Sequence, residues 1–239
     1  MASVMSRTRR AVWIAVILLV IDALFISADV LRHVEMLHDP RFAVTTERGF
    51  GEWFQYAKAA TIVLLLLTAP SARAGARAWA SLFAYLLLDD AFEIHETLGL
   101  KLAARVSLPA IGSIRPGQVG ELVLYVAIGL IFAVALGLAL RHGDRRSWAL
   151  CGALALPFAL LVFFGAVMDV VHSLLRGHSY RYAAGVIEDG GEMVAMSLLA
   201  AMAYWASRRT PSPLPSSASL GASKRTSAES RLSSDRLPD

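Results

Sequence analysis

Leu86-Leu87-Leu88-Asp89-Asp90-Ala91-Phe92-Glu93-Ile94-His95-Glu96 is the stretch on which the reading of this chain turns. It starts as an apolar run of the kind that crosses a bilayer and ends in four carboxylates and an imidazole. Ionisable groups inside a membrane span are costly, and by default they mark a functional site. The apolar character extends well beyond this stretch. The chain has 239 residues, 56% of them hydrophobic, and a mean hydropathy of +0.54. Soluble domains have about 45–50% apolar residues. The excess falls in blocks of about twenty residues, the length of a membrane-crossing helix.

Six such blocks can be drawn outward from the acidic stretch. The third, Ala78 to Leu98, contains it. Before it lie Ala11 to Ala28, interrupted by Asp22, and Glu52 to Ala69, which opens with Glu52, Gln55 and Lys58. After it come Glu121 to Leu140, Trp148 to Leu175 with Pro157 inside, and Ala183 to Ala206. Pro157 is expected to kink the fifth. The fold class expected is therefore all-α, an integral membrane bundle of six transmembrane helices. Residues 1–10 form a basic N-terminal segment and 11–206 the membrane domain. The Ser/Pro/Arg-rich stretch 207–239 has too few large apolar residues to offset its ordering entropy, so a disordered tail is expected there. A signal peptide would also start basic and then turn apolar, but no clear A-x-A cleavage site follows the first block.

Charge sets the orientation. The net charge is +4, and the arginines gather at the N-terminus, in 71–77, in 141–146 and in the tail. Lys and Arg favour the cytoplasmic side. Both termini are thus expected to be cytoplasmic, with membrane lipids as partners and no role in binding nucleic acid. Cys151 is the single cysteine, so no intrachain disulfide can form. Trp53, Tyr56, Trp79, Tyr180, Tyr182 and Trp205 lie near span ends and read as interface anchors.

In this orientation the polar groups of the second, third, fifth and sixth spans all fall in the outer half of the membrane. Polar helix ends are ordinary, yet Asp89, Asp90, Glu93, Glu96, Asp169, Glu188, Asp189 and Glu192 are accompanied within the spans only by Lys58 as a cation. On a continuous helix Asp89, Glu93 and Glu96 share one face, as do Asp169 with His172 and Glu188 with Glu192. His95 points away from Glu96, and its membership of the site stays open. Gly190-Gly191 permits close helix approach. Crowded carboxylates in a low dielectric require protons or a cation. Carboxylates with imidazole from facing helices are how bundles build metal sites. The expected metal ligands are Asp89, Glu93, Glu96, Asp169, His172, Glu188 and Glu192, converging in one cavity around a divalent metal ion. Glu93, Glu96 and Glu192 are the candidate catalytic groups. The chemistry expected is metal-dependent hydrolysis of a lipid or small amphiphile. The alternatives are a proton- or cation-coupled transporter and a non-catalytic structural subunit.

Leu88 to Glu96, the later Glu188-Asp189-x-x-Glu192 and Gly51-Glu52-Trp53-Phe54-Gln55-Tyr56 resemble segments of an uncharacterised family of bacterial polytopic membrane proteins. The resemblance covers most of residues 50–200 and implies a bacterial inner-membrane location, without an activity. A more distant comparison is the ceramidase-like and progestin-receptor-like membrane hydrolases. Their zinc site uses a His-x-x-x-His pair, which this chain lacks, so none of their catalytic residues carries over.

Overall fold

A computed structural model describes residues 2–46, 48–69, 73–141 and 143–208. Among these residues the chain is helical, without strands beyond one isolated bridge between Ile111 and Ile114. The helices are α1 (Ala2–His33), α2 (Phe50–Leu67), α3 (Arg73–Ala91), α4 (Ile94–Val106), α5 (Pro116–Arg141), α6 (Arg145–Val162), α7 (Asp169–Leu174) and α8 (Arg181–Ser207), with a π-helical stretch Phe163–Met168 joining α6 to α7. The stretch expected to be a disordered tail lies, from residue 209 on, outside the described residues.

Three helical stretches are long and apolar enough to cross a membrane: Met5–His33, Pro116–Arg141 and Arg145–Leu174. The α2, α3 and α8 helices do not reach that measure, because they hold the polar groups. These three are packed against neighbours instead. The α8 helix lies against α1, α2, α6 and α7 and buries residues along most of its length, from Ala184 to Ser207. In α5, by contrast, Val126, Leu130, Ile131, Val134 and Leu138 are all exposed. An apolar helix with an apolar outer face suits lipid; a polar helix must be shielded by its neighbours.

The core sits toward one end of the bundle. Ile62, Leu66, Phe83, Leu154 and Leu199 are fully buried there. Trp79 stacks on Phe83 and meets Phe132 and Phe158 edge-on, with ring centroids 5.0 and 5.1 Å away. Its indole N–H donates to Cys151 Sγ at 3.3 Å. Trp79, expected at the interface, is thus a core residue 2% exposed, since three aromatic neighbours cover it. Trp53 and Tyr180 are exposed as expected of anchors.

A further expectation is corrected. The third apolar block is not one helix through Leu98. It ends at Ala91, and Glu93 takes a left-handed conformation (φ 52°) before α4 begins. The residues after Glu93 form α4, and its connection to α5 is confined to 107–115. The α4–α5 hairpin is closed by glycines. A Cβ on Gly120 would collide with the Gly99 carbonyl, and one on Gly99 would sit 2.6 Å from Glu121 Cγ. In the fifth block Pro157 lies inside α6, and the π-helical stretch Phe163–Met168 follows it. At the opposite end Asp144 caps α6, and the Ser147 N–H at 2.9 Å holds its carboxyl below the usual carboxylate range.

A buried ion pair ties α1, α2 and α8 together. Lys58 Nζ donates to Asp22 Oδ1 (2.9 Å), the Met193 carbonyl (2.9 Å) and Ser197 Oγ (3.2 Å). Ser197 Oγ donates to Asp22 Oδ2 at 2.5 Å. The Lys58 side chain is 3% exposed and that of Asp22 0%. Removing one partner leaves a buried charge uncompensated, at about 3–5 kcal/mol. Lys58→Met alone should therefore lower the unfolding midpoint in detergent, while Lys58→Met with Asp22→Leu should recover most of the loss. Equal damage from the single and the double variant would mean that the pair does not act as a unit.

Candidate functional site

One cavity of about 170 Å³ lies where α2 and α8 start and α3 ends. Its lining comes from four helices and two connections. The α1–α2 loop gives Val44, Thr45 and Thr46, and α2 gives Gly51, Glu52 and Gln55. Asp90 closes α3, Glu93 lies at the break, and His95 and Glu96 open α4. Asp189, Glu192 and Met193 come from α8. Among the described residues, six carboxylates thus line one small volume.

Some of these acids are engaged. Glu52 accepts from the Tyr56 hydroxyl and from the Arg48 backbone N–H. Glu93 Oε1 lies 3.4 Å from the Arg48 guanidinium. Arg48 and Glu93 are both left-handed (φ 59° and 52°), so two strained residues meet at the rim. Such conformations cost about 1–3 kcal/mol each and cluster at functional sites. The side chains of Asp90, Asp189 and Glu192 make no hydrogen bond among the described residues, and Gln55 Oε1 is buried without a partner. The inner cavity therefore presents acceptors with few donors.

The two interruptions of the helices both abut this place. The α3–α4 break places Asp90, in the last turn of α3, in the cavity lining. That end of a helix favours cations. The π-helical stretch sets Gly165 against Glu192: a Cβ there would be 2.5 Å from Glu192 Oε1. In α8, Gly191 leaves room for the Phe164 ring, and Gly190 lies against Ile26 of α1. The glycine pair thus does allow close approach on two sides. Single π turns inside helices occur often at functional sites.

Of the residues expected to converge, Glu93, Glu96 and Glu192 line the cavity. Asp89, Asp169, His172 and Glu188 do not. His172 Nδ1 pairs with Glu188 Oε2 at 2.7 Å, and its ring packs near Gly185. Asp169 lies within electrostatic reach of His95, His172 and Arg176. Asp89 is 3% exposed and sits behind the cavity wall. It accepts from the Tyr85 hydroxyl (3.1 Å) and meets His95 Nδ1 at 3.1 Å. The shared face of Asp89, Glu93 and Glu96 does not exist, because the chain turns at Glu93. The same turn swings His95 back onto Asp89 and into the cavity lining. Among the described residues, no three His, Cys, Asp or Glu side chains stand close enough together to hold a metal ion as placed.

Glu52, Gln55, Asp90 and Asp189 were missing from the expected ligand set. Glu52 and Gln55 open a span in the sequence, and Asp90 and Asp189 each adjoin an expected ligand; these were the available signals. The α1–α2 loop gave none, since Val44, Thr45 and Thr46 carry no charge.

A family profile described as Domain of unknown function (DUF8692) matches residues 11–206. The chain belongs to this family. The match includes every residue that lines the cavity, and it agrees with the resemblance to an uncharacterised family. No curated protein and no solved structure matches the chain.

Cavity access can be measured directly. Asp90 is exposed, whereas the native Cys151 is 6% exposed. In detergent, Asp90→Cys should react with a small water-soluble thiol reagent about tenfold faster or more than Cys151. Equal rates would show that water does not reach the cavity.

Proposed function

We propose that this is a multi-pass membrane protein whose acidic cavity takes up a cation and couples that binding to transport. The observation that carries the reading is the set of unpartnered carboxylates, Asp90, Asp189 and Glu192, facing one cavity. In a low-dielectric setting such a set needs protons or a cation. The broken α3–α4 segment supports the same reading. Irregular backbone at membrane depth is tolerated where it lines a cavity, and interrupted helices hold ions in many transporters.

In the proposed arrangement six spans cross a bacterial inner membrane, α3 and α4 together making the third. Both termini are cytoplasmic and the cavity opens outward. The basic stretches of sequence at 71–77 and 141–146 support this orientation. The inward-facing Lys58 and Asp89 support membrane burial of α2 and α3 despite their charges. Reporter fusions after Arg77, Arg146 and Arg208 should read cytoplasmic, and one near Pro109 external. An external reading at Arg208 would end the six-span arrangement. Reconstituted vesicles should show flux driven by a proton or cation gradient, and Glu192→Gln should reduce it about a hundredfold, the scale of one strong charge-assisted contact. Wild-type vesicles without flux under any gradient would refute transport.

A second reading is metal-dependent hydrolysis of a lipid or small amphiphile. It is favoured by His95, whose Nδ1 faces Asp89 and whose other ring nitrogen is left for a ligand, the usual orientation of a metal-bound imidazole. Glu93, Glu96 and Glu192 would supply the carboxylates. Divalent metal bound in purified protein, together with metal-dependent lipid turnover and silent vesicles, would select this reading.

A further inference from the structure

Resting on the reading that the cavity takes a cation, we propose that its occupant is a small aliphatic diamine with both nitrogens protonated. The cavity's acceptors are spread over three helices: Gln55 on α2, Asp90 on α3, and Asp189 and Glu192 on α8. A bare metal ion needs its ligands gathered around a point about 2.0–2.6 Å away. Among the described residues no three His, Cys, Asp or Glu side chains are so gathered. An ammonium group instead projects three N–H donors outward, and so serves acceptors that stand apart.

Size points the same way. The cavity's volume is about 170 Å³. A cavity of about 150 Å³ admits a six-carbon ring, whereas one water takes about 30 Å³. There is room for a short carbon chain and not merely for an ion. Val44, Gly51 and Met193 supply apolar lining that methylene groups can cover. Among the described residues no aromatic ring besides His95 lines the cavity, which gives no sign of the cage that selects quaternary ammonium ions.

The protein already satisfies part of this acidic set with nitrogen donors. The Arg48 guanidinium faces Glu93, and the Arg48 backbone N–H faces Glu52. The carboxylates left without a side-chain partner come from two helices, Asp90 from α3 and Asp189 with Glu192 from α8. Two ammonium groups joined by a flexible spacer can answer both helices at once.

The test is calorimetry and thermal unfolding of the full chain in detergent with 1,4-diaminobutane, butylamine, tetramethylammonium, magnesium and manganese. The diamine should bind and raise the unfolding midpoint, butylamine should bind about tenfold more weakly, and tetramethylammonium should have no effect. Asp189→Asn and Glu192→Gln should each weaken diamine binding about tenfold or more, the equivalent of one charge-assisted hydrogen bond. Because both sites lie deep, Asp90→Asn at the exposed end of α3 provides a third variant with the same expectation, and Glu35→Gln on the exposed α1–α2 loop should bind as wild type. Binding of magnesium or manganese without the diamine would overturn this inference and leave the cation reading standing. No binding of any cation would overturn both. Diamine binding unchanged in all three cavity variants would place its site elsewhere and overturn the assignment.

Discussion

The buried Lys58–Asp22 pair is the constraint on which the arrangement depends. An ammonium in an apolar interior is tolerable only if its donors are met. Here they meet a carboxylate, a hydroxyl and a backbone carbonyl, with the Phe54 ring 4.6 Å from the nitrogen. Satisfying that one group draws a polar residue from α1 and a polar turn from α8 onto α2. The three helices are thereby fixed in rotation as well as in proximity. Gln55 lies one turn before Lys58, and Glu192 immediately precedes Met193, whose carbonyl the lysine binds. The ion pair thus helps set which faces of α2 and α8 turn toward the cavity.

A second constraint comes from small residues. Helices that associate without a hydrophobic driving force rely on close packing, and glycine permits it. Gly99 against Gly120 brings α4 onto α5. Gly191 and Gly190 let α8 approach the π-helical stretch and α1, and Gly165 leaves space for the Glu192 carboxylate. A methyl group on Gly120 or Gly191 would collide with the Gly99 carbonyl or the Phe164 ring. The cavity survives because these approaches close the bundle around it rather than through it.

The acidic groups divide into two populations with different physical roles. Asp22, Asp29 and Asp89 are buried and paired: Asp22 with Lys58, Asp29 with Tyr182 and Arg32, Asp89 with Tyr85 and His95. These carboxylates hold the fold together. Asp90, Asp189 and Glu192 face the cavity without hydrogen bonds among the described residues, and their demand for positive charge is left to whatever enters. Asp89 and Asp90 are adjacent in sequence yet belong to different populations, because successive helical residues point about 100° apart.

The sequence alone determined the class of the protein and the neighbourhood of its site. Blocks of apolar residues report helices because the pattern is local, and the placement of Glu93, Glu96 and Glu192 in one lining follows from where those blocks begin and end. The break at Glu93 was not legible there. Nothing in Ala91-Phe92-Glu93-Ile94 signals a helix stop, and the left-handed residue persists because α4 packs on α5 and Arg48 meets Glu93. That break decided that His95 belongs to the cavity and that Asp89 stands behind it. His172 paired with Glu188 rather than joining the cavity, a matter of helix rotation that residue spacing within one helix cannot report. Trp79 read as an interface anchor, and Lys58 as the one cation among the acids of the spans. Their partners, Cys151 at 72 positions away and Asp22 at 36, were supplied by tertiary packing. Local periodicity encodes which face a helix has; only the assembled bundle decides what that face meets.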